Sequence, residues 1–181
     1  MDESVEFQQL ALKYMDSLYN YGRVLTRNET DAEDLLQETL LRAFRGLASL
    51  DRNRNAKVWL LKIMKNAYID RCRRKLSRPL EEELPEGQEP ADHLPVNPEE
   101  ILLRRLAIEE VRSAIRRLPP VWREAVELRE IEGLSYAELA HVIDKPIGTV
   151  MSRLHRGRNL LRSFLQDHPD HAIEPGKVRG L

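Results

Sequence analysis

A chain of 181 residues with 41% hydrophobic and 33% charged residues can bury one core or two small ones. It has no long apolar run and no signal-peptide pattern, so no segment is expected to enter a membrane. Its single cysteine, Cys72, excludes an internal disulfide and a cysteine-cluster zinc site and fits a reducing cytosol.

The net charge of -1 hides a segregated pattern. Residues 79–100, "PLEEELPEGQEPADHLPVNPEE", hold eight acids and no Lys or Arg, so the two flanks together carry +7. The pattern predicts two mildly basic modules joined by an acidic, proline-rich tether.

The first module reads as three helices. Phe7, Leu10, Tyr14, Leu18, Tyr21 and Leu25 keep three- and four-residue spacing, which predicts a helix with one apolar stripe. Thr30-Asp31-Ala32-Glu33 has the pattern of a capping box and should open the second helix. Its buried side is expected to hold Ala32, Leu35, Leu36, Thr39, Leu40, Ala43, Phe44 and Leu47. The opposite ridge carries Asp34, Glu38, Leu41 and Arg45. Leu41 on that charged ridge is either a contact residue or a stray exposed leucine.

A polar loop, Ser49 to Lys57, leads to a third helix with Trp59, Leu60, Ile63, Met64 and Ala67 as core. It ends in Arg71, Arg73, Arg74 and Lys75, which either track a phosphate backbone or complement the helix dipole. Cys72 within this basic end is read as an ordinary thiol.

The tether holds five prolines between residues 79 and 98 and is expected to be extended or disordered. Asn97 should cap the next helix, with Pro98 at its first position and a stripe of Ile101, Leu102, Leu106, Ile108, Val111, Ile115 and Leu118. Pro119-Pro120 ends it. Pro120 opens another helix through Trp122, Ala125, Val126 and Leu128 to Ile131, stopped by Gly133. Ser135 and Glu138 form a capping box for a short helix whose face is Tyr136, Leu139, Ala140 and Ile143.

Pro146 ends that short helix, and a last one restarts near Ile147, burying Ile147, Val150, Met151 and Leu154. Two helices joined by so short a turn form a helix-turn-helix. Asp144 takes the turn position where many such motifs have glycine, and it tolerates left-handed geometry better than most residues. The hydroxyls and cations at the start of the last helix suit a major groove. A plain helical hairpin with solvated arginines has the same sequence pattern. The tail after Gln166, with His168 and His171 beside aspartates, reads as a frayed terminus rather than a metal site.

The expected fold class is therefore all-α: two small helical domains joined by a flexible acidic linker, the second containing a helix-turn-helix. The boundaries fall at residues 1–78, 79–97 and 98–166, with a disordered tail at 167–181. No H-E-x-x-H, glycine-rich phosphate loop or nucleophile elbow is present, so no catalytic residue, cofactor or metal is expected.

"DAEDLLQETLLRAF", "WLLKIMKNAYIDRCRR" and "LPPVWREAVELREIEGLSYAELAHVIDKPIGTVMSRLHRGRNLLR", in that order, closely resemble bacterial extracytoplasmic-function (ECF) sigma factors of the sigma-70 family. The resemblance spans roughly Phe7 to Phe164. It implies an alternative sigma factor that binds core RNA polymerase and directs promoter-specific initiation in the bacterial cytoplasm, nucleoid-associated when active. It implies that Asp31, Asp34, Gln37, Glu38 and Leu41 meet the polymerase beta-prime clamp, with the beta flap as a second contact. It gives the minus-10 element to Asp51, Arg52, Asn53, Arg54 and Asn55 of the polar loop and to Asn66, Asp70, Arg73 and Arg74 of the following helix. An extruded base would sit in that loop, and extrusion costs a few kcal/mol of stacking. The minus-35 element falls to Gly148, Thr149, Ser152, Arg153, His155 and Arg156.

The same resemblance implies an anti-sigma factor covering both modules. It also implies that the tether threads toward the RNA exit path as a nucleic-acid mimic, although a solubilising spacer has the same composition. The alternative is a conventional helix-turn-helix regulator, which binds duplex operator alone and usually as a dimer.

Overall fold

The computed structural model describes residues 3–51, 55–76 and 98–166. The elements are α1 (Glu3–Thr26), α2 (Glu29–Arg45), a 3-10 turn (Leu47–Ser49), α3 (Ala56–Leu76), α4 (Pro98–Arg117), α5 (Pro120–Val126) with a π-helical turn (Glu127–Ile131), α6 (Tyr136–Ile143) and α7 (Ile147–Gln166). There is no strand among the described residues. The tether, the Asn97 cap and the tail with His168 and His171 lie outside them, as do the side chains of Ile101, Leu102 and Leu106.

In the first domain α1, α2 and α3 close around Leu18, Tyr21, Ala32, Leu35, Leu60, Leu61, Met64 and Ala67, none of which reaches solvent. Burial of each large apolar side chain contributes about 1.5–3 kcal/mol before chain entropy is counted. The entry to α2 differs from the sequence expectation. Arg27 takes a left-handed φ of 59°, and Asn28, extended at φ -138°, accepts from the Asp31 backbone amide at 2.8 Å. Asn28 is the N-cap, and Thr30 already lies inside the helix. The turn at Arg27 brings the chain into helix early, and asparagine is a better cap than threonine. Phe44, expected in the core, is 49% exposed and meets Phe7 edge to face at 5.2 Å.

In the second domain Pro120 stands at the start of α5, as expected. Buried Arg123 reaches back to donate to the carbonyls of Arg116 and Leu118, satisfying the end of α4. The chain after α5 widens, with the Glu132 amide bonding the Glu127 carbonyl at 3.0 Å, before Gly133 breaks the helix at φ 72°. α7 crosses α5 at Gly157, and its buried stripe is Val150, Leu154 and Gly157. Ile147 and Met151, expected to be buried, are 48% and 53% exposed. Both lie one helical step off the Val150–Leu154 stripe, where they face outward.

The buried side chains of the two domains form one connected cluster, with α3 packed on α6 and α1 on α5.

Candidate nucleic-acid interface

Local chemistry builds the helix-turn-helix. Ser135 accepts from the Glu138 amide at 3.2 Å, while the Glu138 carboxylate accepts from the Ser135 amide at 2.8 Å, so both halves of the capping box form. The Ser135 backbone N–H, with Asn55 and the Ser135 hydroxyl, holds the Glu138 carboxyl below its usual range. Asp144 adopts the left-handed conformation the turn needs, at φ 54° and ψ 54°, and the Lys145 amide closes on the Ala140 carbonyl at 3.1 Å. Pro146 then accepts from the amides of Thr149 and Val150, which starts α7.

This geometry sets the residues expected to read DNA on one surface. Gly148, Ser152, His155 and Arg156 are exposed, and Thr149 and Arg153 are half-buried beside them. Ile147 and Met151 add apolar surface to the same face, a suitable partner for a thymine methyl group. His155 Nε2 lies 3.1 Å from the Asn159 amide nitrogen. Arg158, by contrast, is committed to Glu130 at 2.6 Å.

The end of α3 does not stand alone either. Arg71 Nη2 lies 3.2 Å from Asp34 and 3.6 Å from Asp31, Arg74 lies 3.2 Å from Glu38, and Lys75 lies 3.9 Å from Asp31. Arg42 bridges the two helices, donating to Glu38 at 2.6 Å and to Asp70 at 2.7 Å. That bond to Arg42 is the main reason the Asp70 carboxyl sits below its usual range. The acids of the α2 ridge therefore pair with the bases of α3, and Glu38, Arg42, Asp70 and Arg74 line a groove between the two helices. Leu41 projects at the rim of that groove, 59% exposed. Gln37 is exposed as well.

Of the polar loop, Asp51 and Asn55 are exposed, and Arg52, Asn53 and Arg54 lie outside the described residues. Asn66 and Arg73 are exposed on α3, and Asp70 is half-buried. Asn55 is engaged: its side-chain amide donates to Glu138 of α6 at 2.9 Å.

Sequence reasoning missed the residues that join the domains. Tyr21 of α1, wholly buried, donates its hydroxyl to Glu124 of α5 at 2.7 Å. Lys65 of α3 donates to the same carboxylate oxygen at 2.6 Å. Lys57 pairs with Glu132 at 2.5 Å and also donates to its backbone carbonyl at 3.0 Å. Burial, reinforced by nearby Glu132 and opposed by Arg112 and Arg123, pushes the Glu127 carboxyl up to about 7. The only sequence signal for this seam is Glu124 inside the apolar run of α5.

No group of three or more His, Cys, Asp or Glu suited to a metal occurs among the described residues. No helix among them is long and apolar enough to cross a membrane.

Fold and surface thus define a two-domain helical protein with a helix-turn-helix and a second, charge-paired helical surface. Family comparison makes the assignment specific. Residues 10–78 match sigma-70 region 2 and residues 108–161 match sigma-70 region 4. The chain is 35% identical over 164 residues to the ECF RNA polymerase sigma factor SigW of Bacillus subtilis, covering 85% of this chain and 86% of that one. It is 37% identical over 168 residues to the ECF RNA polymerase sigma factor SigE of Mycolicibacterium smegmatis, covering 93% of this chain but 65% of that relative's length. Among solved structures, the sigma factor RpoE of Bartonella quintana, in complex with the anti-sigma factor NepR, aligns with a TM-score of 0.68 at 26% identity. That alignment covers 92% of this chain and 99% of RpoE. CnrH, bound to the cytosolic domain of CnrY, aligns with a TM-score of 0.60 at 26% identity, covering 90% and 88%. The chain belongs to the ECF group of sigma-70-family RNA polymerase sigma factors.

Proposed function

We propose that residues 1–78 dock on core RNA polymerase and read the minus-10 element, and that residues 98–166 read the minus-35 element. The acidic segment 79–97 links them, and the chain works in the cytoplasm without catalytic chemistry of its own. The observation that carries this reading is the outward face of α7, where Ser152, His155 and Arg156 are exposed on a helix fixed by the Asp144 turn. A recognition helix placed this way offers hydroxyl, imidazole and guanidinium groups to base edges and phosphates. On α2, the acids Asp31, Asp34 and Glu38 around exposed Leu41 form a polar rim with an apolar centre, the anatomy of a protein interface. Docking on the beta-prime clamp is assigned to that ridge, and the beta flap to the second domain. The solved relative RpoE, in complex with the anti-sigma factor NepR, supports control of this chain by a protein of that kind.

Reconstituted initiation with bacterial core polymerase tests the reading. On a promoter with an intact minus-35 element, R156A should lower initiation by the equivalent of about 1–3 kcal/mol. On the same promoter with that element scrambled it should change little. Equal loss on both templates contradicts the assignment of α7.

A further inference from the structure

Arg42 stands between the two surfaces assigned to the first domain and belongs to neither. Its guanidinium donates from Nη2 to Glu38 Oε1 at 2.6 Å, one turn earlier on α2, and from Nη1 to Asp70 Oδ2 at 2.7 Å on α3. Glu38 lies on the ridge assigned to polymerase, and Asp70 on the helix assigned to the minus-10 element. A planar fork that donates to two carboxylates fixes their direction as well as their distance, which a flexible ammonium does not. The Arg42 side chain is only 32% exposed, so these two acids are its main partners in place of water.

A carboxylate among residues assigned to DNA needs a reason. Asn66 lies one helical turn before Asp70, and Arg73 and Arg74 follow it. An unneutralised Asp70 would repel the phosphates that the two arginines attract. Arg42 removes that repulsion, and its bond is the main reason the Asp70 carboxyl lies below its usual range, so the group is an ionised acceptor at neutral pH. Only Oδ2 is engaged: among the described residues no second donor bonds this carboxylate, and the side chain is 45% exposed. Oδ1 is therefore available to a donor from outside. On the major-groove edge of the bases the donors are cytosine N4 and adenine N6, whereas guanine and thymine present acceptors there, which a carboxylate repels.

We propose that Arg42 is a positioning residue for minus-10 recognition, holding Asp70 by Oδ2 so that Oδ1 accepts from the amino group of a cytosine or adenine. This rests on the assignment of α3 to the minus-10 element. One position of that element then selects an amino-bearing base. The bond to Glu38 anchors the guanidinium on its own helix, so Asp70 is pinned to α2 and not merely neutralised. A lone carboxylate would be free to turn about its side-chain bonds and would present no fixed acceptor to a base edge.

The test uses the full chain with bacterial core polymerase and a pool of promoters that keep the minus-35 element and carry every base at each minus-10 position. Each template holds a transcribed barcode, so sequencing the run-off products measures preference position by position. The parent should favour cytosine or adenine over guanine and thymine at one position by about fivefold or more. Asp70→Ala should abolish that preference. Arg42→Gln should bring it below about twofold at the same position and leave the other positions as in the parent. The readout is a ratio of templates within one holoenzyme, so a loss of stability or of core affinity alone does not move it. If Arg42→Gln does not fold, Arg42→Lys, which keeps the charge but lacks the fork, takes its place with the same expectation. An Arg42 variant that keeps the preference Asp70→Ala loses overturns the positioning role, and so does an equal loss at every minus-10 position. If Asp70→Ala keeps the parent's preference at every position, the minus-10 assignment of Asp70 fails and the proposal falls with it.

Discussion

Gly157 of α7 passes so close to Val126 of α5 that a Cβ at this position would lie 2.8 Å from Val126 Cγ2 and 3.4 Å from Trp122 Cβ. The crossing holds the recognition helix against the second domain's core. G157A should therefore destabilise the protein by about 1–3 kcal/mol, the usual effect of overpacking. Thermal unfolding measures it directly, and an unchanged midpoint contradicts the close crossing.

The start of α2 gives a discriminating pair. Asn28 supplies the cap in the structure, and Thr30 does not. N28A should cost about 1 kcal/mol of stability, whereas T30A should stay within about half that. Denaturant unfolding of both variants decides between the cap seen and the capping box expected from the sequence.

Much of the fold was legible because local chemistry determines it. Pro120, Gly133, Ser135 with Glu138, and Pro146 each act on backbone geometry within a few residues, and each took its expected part. Asp144 entered the left-handed region for the same reason. Ile147 and Met151 were misread because three- and four-residue spacings describe two adjacent helical stripes, and only packing against α5 selects the one through Val150. Tyr21 was rightly placed on a buried stripe, but periodicity says nothing about the partner across a seam. Neither the Tyr21–Glu124 bond nor the Asn55–Glu138 bond follows from local spacing. The pairing of Asp34 with Arg71 and of Glu38 with Arg74 was likewise out of reach, because each pair joins two helices through residues more than thirty positions apart.

Glu127 gives a pH dependence of definite sign. Its value of about 7 in the folded protein lies above its ordinary 4.5, so between these pH values the folded chain keeps a proton the unfolded chain has lost. Its contribution is greatest below about pH 4.5, falls as pH rises toward about 7, and stays low above that. Removing the charge should therefore help at high pH. E127Q should raise stability at pH 8 by on the order of 1–3 kcal/mol and change it little near pH 4.5. Unfolding curves at the two pH values check this, and equal effects at both would remove burial of this carboxylate as the cause.

The central claim is that the acidic ridge of α2, with Asp34, Glu38 and exposed Leu41, docks this chain on RNA polymerase. Gel filtration of the purified protein with bacterial core enzyme tests it most directly, with the charge reversal D34R/E38R, checked for intact helicity, as the comparison. The account predicts co-elution of the parent chain with core and loss of co-elution in the reversal. If neither protein co-elutes, yet the chain alone shifts duplex DNA, the helix-turn-helix belongs to a conventional regulator and the assignment of the first domain is wrong.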